Sequence, residues 1–148
     1  MEKIYETAYA KINLGLDVLG KRSDGYHEVR MVMQSVGLSD AVEIEEGEGL
    51  VVETDHSGLA GGPDNLAWKA AELLARCCGK IPNVHIRLNK KIFLAAGLAG
   101  GSSDAAAVMR GLSRLWQLDL TAPELEKLAA ELGSDIPFCI TGGTALAE

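Results

Sequence analysis

Leu94-Ala95-Ala96-Gly97-Leu98-Ala99-Gly100-Gly101-Ser102-Ser103-Asp104-Ala105-Ala106-Ala107-Val108 divides two kinds of pattern. Before it, Val84, Ile86 and Leu88 alternate with His85, Arg87 and Asn89, the period-two signature of a strand with one buried face, ending near Lys90. After it, Val108, Met109, Leu112 and Leu115 recur at three- and four-residue spacing, which predicts a helix from near Ser103 to Trp116. Gly97, Gly100 and Gly101 let the connecting backbone adopt positive φ and approach a ligand closely. The unpaired N–H groups of the following helical turn, with the helix dipole, favour an anion there. Ser102 and Ser103 add hydroxyls suited to phosphate oxygens or a metal-bound water, and Asp104 can cap the helix or help hold a cation. Gly101 is followed by Ser102 rather than Lys, so this is not a Walker A loop, and the dinucleotide fingerprint G-x-G-x-x-G is absent. On the loop alone, a glycine-rich helix entry that merely caps is the competing reading.

Working outward, Ile12, Leu14, Leu16 and Val18 alternate with polar or small residues, and Val29 to Val36 and Ala41 to Ile44 form further strand patterns. Leu50 to Glu53 is expected to return as a hairpin after the turn at Glu46 to Gly49. Leu66, Ala70, Leu73, Leu74 and Cys77 share one helical face, opened by Asp64 or Asn65 and closed by Gly79. Thr121-Ala122-Pro123-Glu124 forms a capping box that starts a helix running to about Leu132. Strands first, then helices mixed with strands, indicate an α+β unit. Thr144 to Ala147 reads as a strand just beginning, so the 148 residues are expected to belong to a larger protein.

The chain carries 14 basic and 21 acidic residues, a formal charge of −7, with 47% hydrophobic and 24% charged residues. That balance excludes a disordered or collagen-like chain and disfavours a nucleic-acid backbone as partner, an RNA-binding module included. No apolar run reaches the ~18–20 residues of a membrane span, and the mixed, charged N-terminus does not read as a secretory signal. Cys77, Cys78 and Cys139 make a poor disulfide framework and show no zinc spacing; buried, reduced thiols in a cytoplasmic protein are expected.

Three further segments carry chemistry-bearing residues. In Ala10-Lys11-Ile12-Asn13-Leu14, Lys11 and Asn13 share one strand face, where a lysine and an amide can orient a hydroxyl and lower its pKa; two solvated polar residues are the bland alternative. In Gly133-Ser134-Asp135-Ile136-Pro137-Phe138, Asp135 is either a helix N-cap or a carboxylate held at a helix end as a base. In Ser23-Asp24-Gly25-Tyr26-His27-Glu28-Val29, Tyr26 and His27 either stack on a base or pack on the sheet.

Together these four segments, in the order they take along the chain, resemble the 4-diphosphocytidyl-2-C-methyl-D-erythritol kinases of the GHMP kinase superfamily. Arg22 to Val29 is the segment most particular to that member, and Gly97 to Asp104 resembles the superfamily's phosphate loop. The resemblance implies the two-layer N-terminal lobe of the GHMP kinase fold (ribosomal protein S5 domain 2-like), with the C-terminal lobe absent and residues 1–148 inactive alone. It implies ATP- and Mg²⁺-dependent phosphorylation of the 2-hydroxyl of the cytidyl-methylerythritol substrate in non-mevalonate isoprenoid synthesis. By position, Asp135 would be the base and Lys11 its partner. Asn13 would meet the methylerythritol end, and Tyr26 and His27 the cytosine end. Residues Ala95, Ala96, Gly97, Leu98, Ala99, Gly100, Gly101, Ser102, Ser103 and Asp104 would hold ATP, with Asn65 and Lys90 on its adenine side. Phe93 stands where the family usually has Pro, and Ala95, Ala96 and Ala99 replace common glycines. An inactive nucleotide-binding fragment, or another GHMP-type small-molecule kinase, is the alternative.

Overall fold

Ile4 and Ala8 are buried while Tyr5 and Tyr9 are exposed, so the first strand has one face in a core and one outside it. The computed structural model describes residues 3–21, 27–55, 62–90, 100–133, 136–141 and 144–147, with backbone only for 10–21, 27–38, 100, 141 and 144–147. Strand β1 (Lys3–Lys21) pairs antiparallel with β2 (His27–Glu46). The two stretches expected as separate strands, Val29 to Val36 and Ala41 to Ile44, are thus one. The pairing shifts register between Tyr9 and Lys11, Asn13 and Gly15, and Val18 and Gly20, and the second shift breaks the single alternation expected from Ile12 to Val18. Between two of these shifts, Lys11, Ile12 and Asn13 pair in unbroken register with Ser35, Gln34 and Met33, so positions 11 and 13 keep the alternation expected of them.

The described strands form one five-stranded sheet, ordered β1-β2-β4-β3, with β5 (Thr144–Ala147) also on β2. Strand β3 (Val51–Thr54) is not the expected hairpin return. It pairs parallel with β4 (Val84–Asn89), and helix α1 (Leu66–Cys78) is the crossover between them. The edge of β2 that a hairpin would need is occupied by β4 at Ala41–Glu46.

Helix α1 begins and ends where expected. Asn65 Oδ1 accepts from the Ala67 amide at 2.8 Å, and Gly79 closes the helix at φ 66°. Helix α2 (Gly100–Leu115) starts earlier than Ser103, drawing Gly100 and Gly101 into its first turn. Thr121 caps α3 (Ala122–Ala129), which stops before Leu132 and continues as turn. Helix α4 (Ile136–Thr141) follows the segment holding Asp135. The cysteines are free, but Cys77 is exposed and Cys78 and Cys139 half-buried, so the expectation of buried thiols fails for all three. None of the described helices is long and apolar enough to cross a membrane.

The core lies between the sheet and helices on one of its faces. Val42, Ile44, Val84, Ile86 and Leu88 meet Ala67, Ala70, Ala71 and Leu74 of α1 and Ala105 to Met109 of α2. Alanines on both helices let them approach the sheet and each other closely. The tightest place is Gly111, where a Cβ would stand 2.5 Å from Ile44 Cδ1 and 3.4 Å from Ile4 Cγ2. Ile44 is fully buried and has little room to retreat. Gly111→Val is therefore expected to lower stability by about 1–3 kcal/mol through overpacking, read as a lower midpoint in urea unfolding.

Candidate active site

The candidate site lies at an interval between two described strands paired with β2. Along one edge of β2, β4 ends with Asn89 opposite Ala41, and β5 begins with Thr144 opposite Gln34. Across β2 from that interval, Lys11 pairs with Ser35. The N-terminus of α2 is tied to the same place: Ser103 Oγ donates to the Tyr9 carbonyl, two residues before Lys11. Of the two stems of the glycine-rich loop, Lys90 thus follows β4 beside β2, and the α2 end is tied to the strand that carries Lys11.

A buried ionic cluster fixes those stems. Lys90 Nζ donates to Asp40 Oδ2 and Asp104 Oδ2, each at 2.5 Å, and the three side chains are 0–2% exposed. The Lys90 amide also donates to Asp55 Oδ1 at 2.8 Å. Burial pulls the Lys90 ammonium down, but the charges and hydrogen bonds of Asp104 and Asp40 outweigh it, and the pKa is raised above its ordinary value. Burial, reinforced by the adjoining Asp40 carboxyl and opposed by Lys90, pushes Asp104 up to about 8. Asp104 Oδ1 is buried without a hydrogen-bond partner, which is why desolvation dominates there. The cation that Asp104 holds is thus the Lys90 ammonium.

Not every residue expected at the nucleotide offers it a free side chain. Asn65 is buried and its carbonyl oxygen caps α1; Ser103 is buried and its hydroxyl serves β1; Lys90 and Asp104 hold each other. These four form the frame of the site. A Cβ on Gly101 would touch Leu66 Cδ1 at 3.4 Å, so the first turns of α1 and α2 adjoin. Gly101 is exposed and Ser102 half-buried, leaving this turn open to a ligand. Lys11, Asn13 and His27 lie on described strands. Tyr26, Asp135 and the loop residues Ala95, Ala96, Gly97, Leu98 and Ala99, with Phe93, lie outside the described residues.

Arg110, which the sequence reading passed over, links three elements. Its Nε donates to Glu6 Oε1 at 2.7 Å, and its terminal nitrogens donate to the Thr7 carbonyl of β1 and to the Cys139 and Ile140 carbonyls of α4, at 2.7–3.1 Å. Arg114 also reaches Glu6. The available signal was an arginine following the small, apolar run Ala105 to Met109.

The described residues form one sheet with helices packed on one face, and the N-terminus of α2 is tied to β1. The sequence from residue 65 to 143 matches the family described as GHMP kinases N terminal domain, and the chain belongs to that family. Among curated relatives, 4-diphosphocytidyl-2-C-methyl-D-erythritol kinase of Caldanaerobacter subterraneus subsp. tengcongensis is 50% identical over 99% of this chain and 51% of its own length. The protein of the same name from Synechococcus sp. (strain JA-3-3Ab) is 55% identical over 95% of this chain and 46% of its own length. The chain thus spans about half the length of these relatives. The crystal structure of a 4-(cytidine 5'-diphospho)-2C-methyl-D-erythritol kinase superposes with a TM-score of 0.81 at 39% identity, covering 97% of this chain and 51% of that one. Homoserine kinase from Cytophaga hutchinsonii, at 18% identity and a TM-score of 0.76 over 99% of this chain and 48% of its own, shares the fold.

Proposed function

We propose that the full-length protein transfers the γ-phosphate of ATP to the 2-hydroxyl of 4-diphosphocytidyl-2-C-methyl-D-erythritol, a step of non-mevalonate isoprenoid synthesis. The observation that carries this reading is the Ser103–Tyr9 hydrogen bond, which brings the first turn of α2 to the strand of Lys11. The likeness to relatives of that name over nearly the whole chain supports the choice of substrate.

Phosphoryl transfer asks a protein chiefly for positioning and charge stabilisation. In this reading the α2 first-turn amides and the loop at 95–101 cradle the ATP phosphates. Asp135 accepts the proton of the attacking hydroxyl, and Lys11 stabilises charge developing beside it. Asn13 orients the methylerythritol end, while Tyr26 and His27 take the cytosine. Among the described residues no group of three His, Cys, Asp or Glu side chains is placed to hold a metal. Mg²⁺ would be carried mainly by the ATP phosphates, as is usual for that ion, with Ser102 as the open hydroxyl on the turn. Bound there, it would neutralise charge on the phosphoryl oxygens. The substrate is a small molecule, with neither nucleic acid nor membrane as partner, and the protein acts in the cytoplasm.

Gly101→Val tests the loop assignment. A branched side chain on the exposed first turn would obstruct a phosphate, while among the described residues its Cβ would meet Leu66 at an ordinary contact distance. ATP affinity measured by calorimetry should fall at least tenfold, with cytidyl-ligand affinity nearly unchanged. Equal losses for both ligands would contradict a phosphate-specific role.

A further inference from the structure

We infer that Arg110 and Ser103, one face of α2, form a positioning bracket that sets the spacing between the strand of Lys11 and the helix that follows Asp135. The inference rests on the roles proposed for Lys11 and Asp135. Ser103 and Arg110 are seven residues apart, two helical turns, and so lie on the same side of α2. Both ends of that side contact the same two neighbours. Ser103 Oγ donates to the Tyr9 carbonyl of β1 and lies 3.5 Å from Cys139 Sγ of α4. Arg110 donates to the Thr7 carbonyl of β1 and to the Cys139 and Ile140 carbonyls of α4.

The chemistry of these contacts explains why arginine stands there. Helix α4 ends at Thr141, and the carbonyls of its last turn face the end of the helix, where side-chain donors can reach them. A guanidinium satisfies two of them, complements the negative end of the helix dipole, and still reaches β1 with its remaining donors. Glu6 Oε1 takes the Nε proton at 2.7 Å and keeps the planar group in one orientation. A lysine in the same place would retain the charge but not the fork. Helix α4 is six residues long and directly follows Asp135, while Lys11 lies four residues beyond Thr7. A shift of α4 on β1 would, under those proposed roles, change the spacing between the two chain segments that carry Asp135 and Lys11. A displacement of about 1 Å at a reacting group can cost ~10²-fold in rate.

The test is a double-mutant cycle in the full-length protein, with kcat expressed per nucleotide site titrated by ATP binding. Arg110→Met should lower kcat about 10- to 100-fold, with KM for ATP changed less than threefold, and Arg110→Lys should recover part of the loss. In the Asp135→Asn background the same Arg110→Met change should cost less than about twofold, because the group it positions is already removed. An equal loss in both backgrounds would show a general structural role and overturn the inference, as would an unchanged kcat in Arg110→Met. Full activity of Asp135→Asn on its own would overturn the base assignment instead, and the inference with it. Should Arg110→Met fail to fold, Arg110→Lys run through the same cycle decides between these outcomes.

Discussion

Asp135→Asn in the full-length protein is expected to lower kcat by about 10²–10⁴-fold, the usual contribution of a positioned general base, and to leave ATP affinity within about twofold. Asparagine keeps the shape of the side chain and can still cap the start of α4, so the helix and its contacts with α2 should survive. What it lacks is the capacity to accept the proton of the attacking hydroxyl. Steady-state kinetics with ATP-binding calorimetry separates the two effects. Unchanged kcat would return Asp135 to the capping role that its position before Ile136 also fits.

The second large effect is on stability. Lys90→Met should cost about 3–5 kcal/mol, the range for removing one partner from a buried charged cluster. The substitution leaves Asp40 and Asp104 side by side, away from water and without their cation. Urea unfolding measures the loss, and a cost below about 1 kcal/mol would mean that the cluster is solvated in the native protein. The same cluster gives a pH dependence of definite sign. Asp104 has its folded pKa raised to about 8, against 3.8 when unperturbed. Its stabilising contribution is complete below about pH 4 and is lost as pH rises toward 8, where the folded state must ionise a buried carboxyl. Asp104→Asn cannot ionise. The stability of the wild type relative to this variant should therefore fall as pH rises from 5 to 8. A relative stability that rose with pH would contradict the raised pKa.

The parts of this fold that were legible in the sequence are those with local causes. Asn65 and Gly79 bracket α1 because a side-chain acceptor and a positive-φ residue are needed at those two places. Val84, Ile86 and Leu88 reveal β4 because alternate residues are buried. The partner of β3 was not legible: the turn at Glu46 to Gly49 suits a hairpin return, and only the occupation of the β2 edge by β4 excludes it. The start of α2 was not legible because Gly100 and Gly101 read as loop, whereas both lie in its first turn.

The site was legible unevenly for the same reason. Lys11, Asp135 and the glycine loop stand in recognisable motifs, whereas their supports do not. Lys90 is 50 residues from Asp40 and 14 from Asp104, so nothing local joins the three. An acid just before three alanines and an arginine just after Met109 were the available signals, because a charge on so apolar a helix must find a partner when buried. Asn65, Ser103 and Lys90 were assigned to the nucleotide, and the structure engages each side chain within the protein.

The central claim is the transfer itself, and it is tested most directly by incubating the full-length protein with γ-labelled ATP, Mg²⁺ and, separately, 4-diphosphocytidyl-2-C-methyl-D-erythritol, homoserine and mevalonate. The account predicts label on the 2-hydroxyl of the cytidyl substrate, located by phosphorus NMR, with kcat/KM at least 10³-fold above that for the other two acceptors. Label transferred preferentially to homoserine or mevalonate, or to none of the three by a protein that binds ATP, would contradict it.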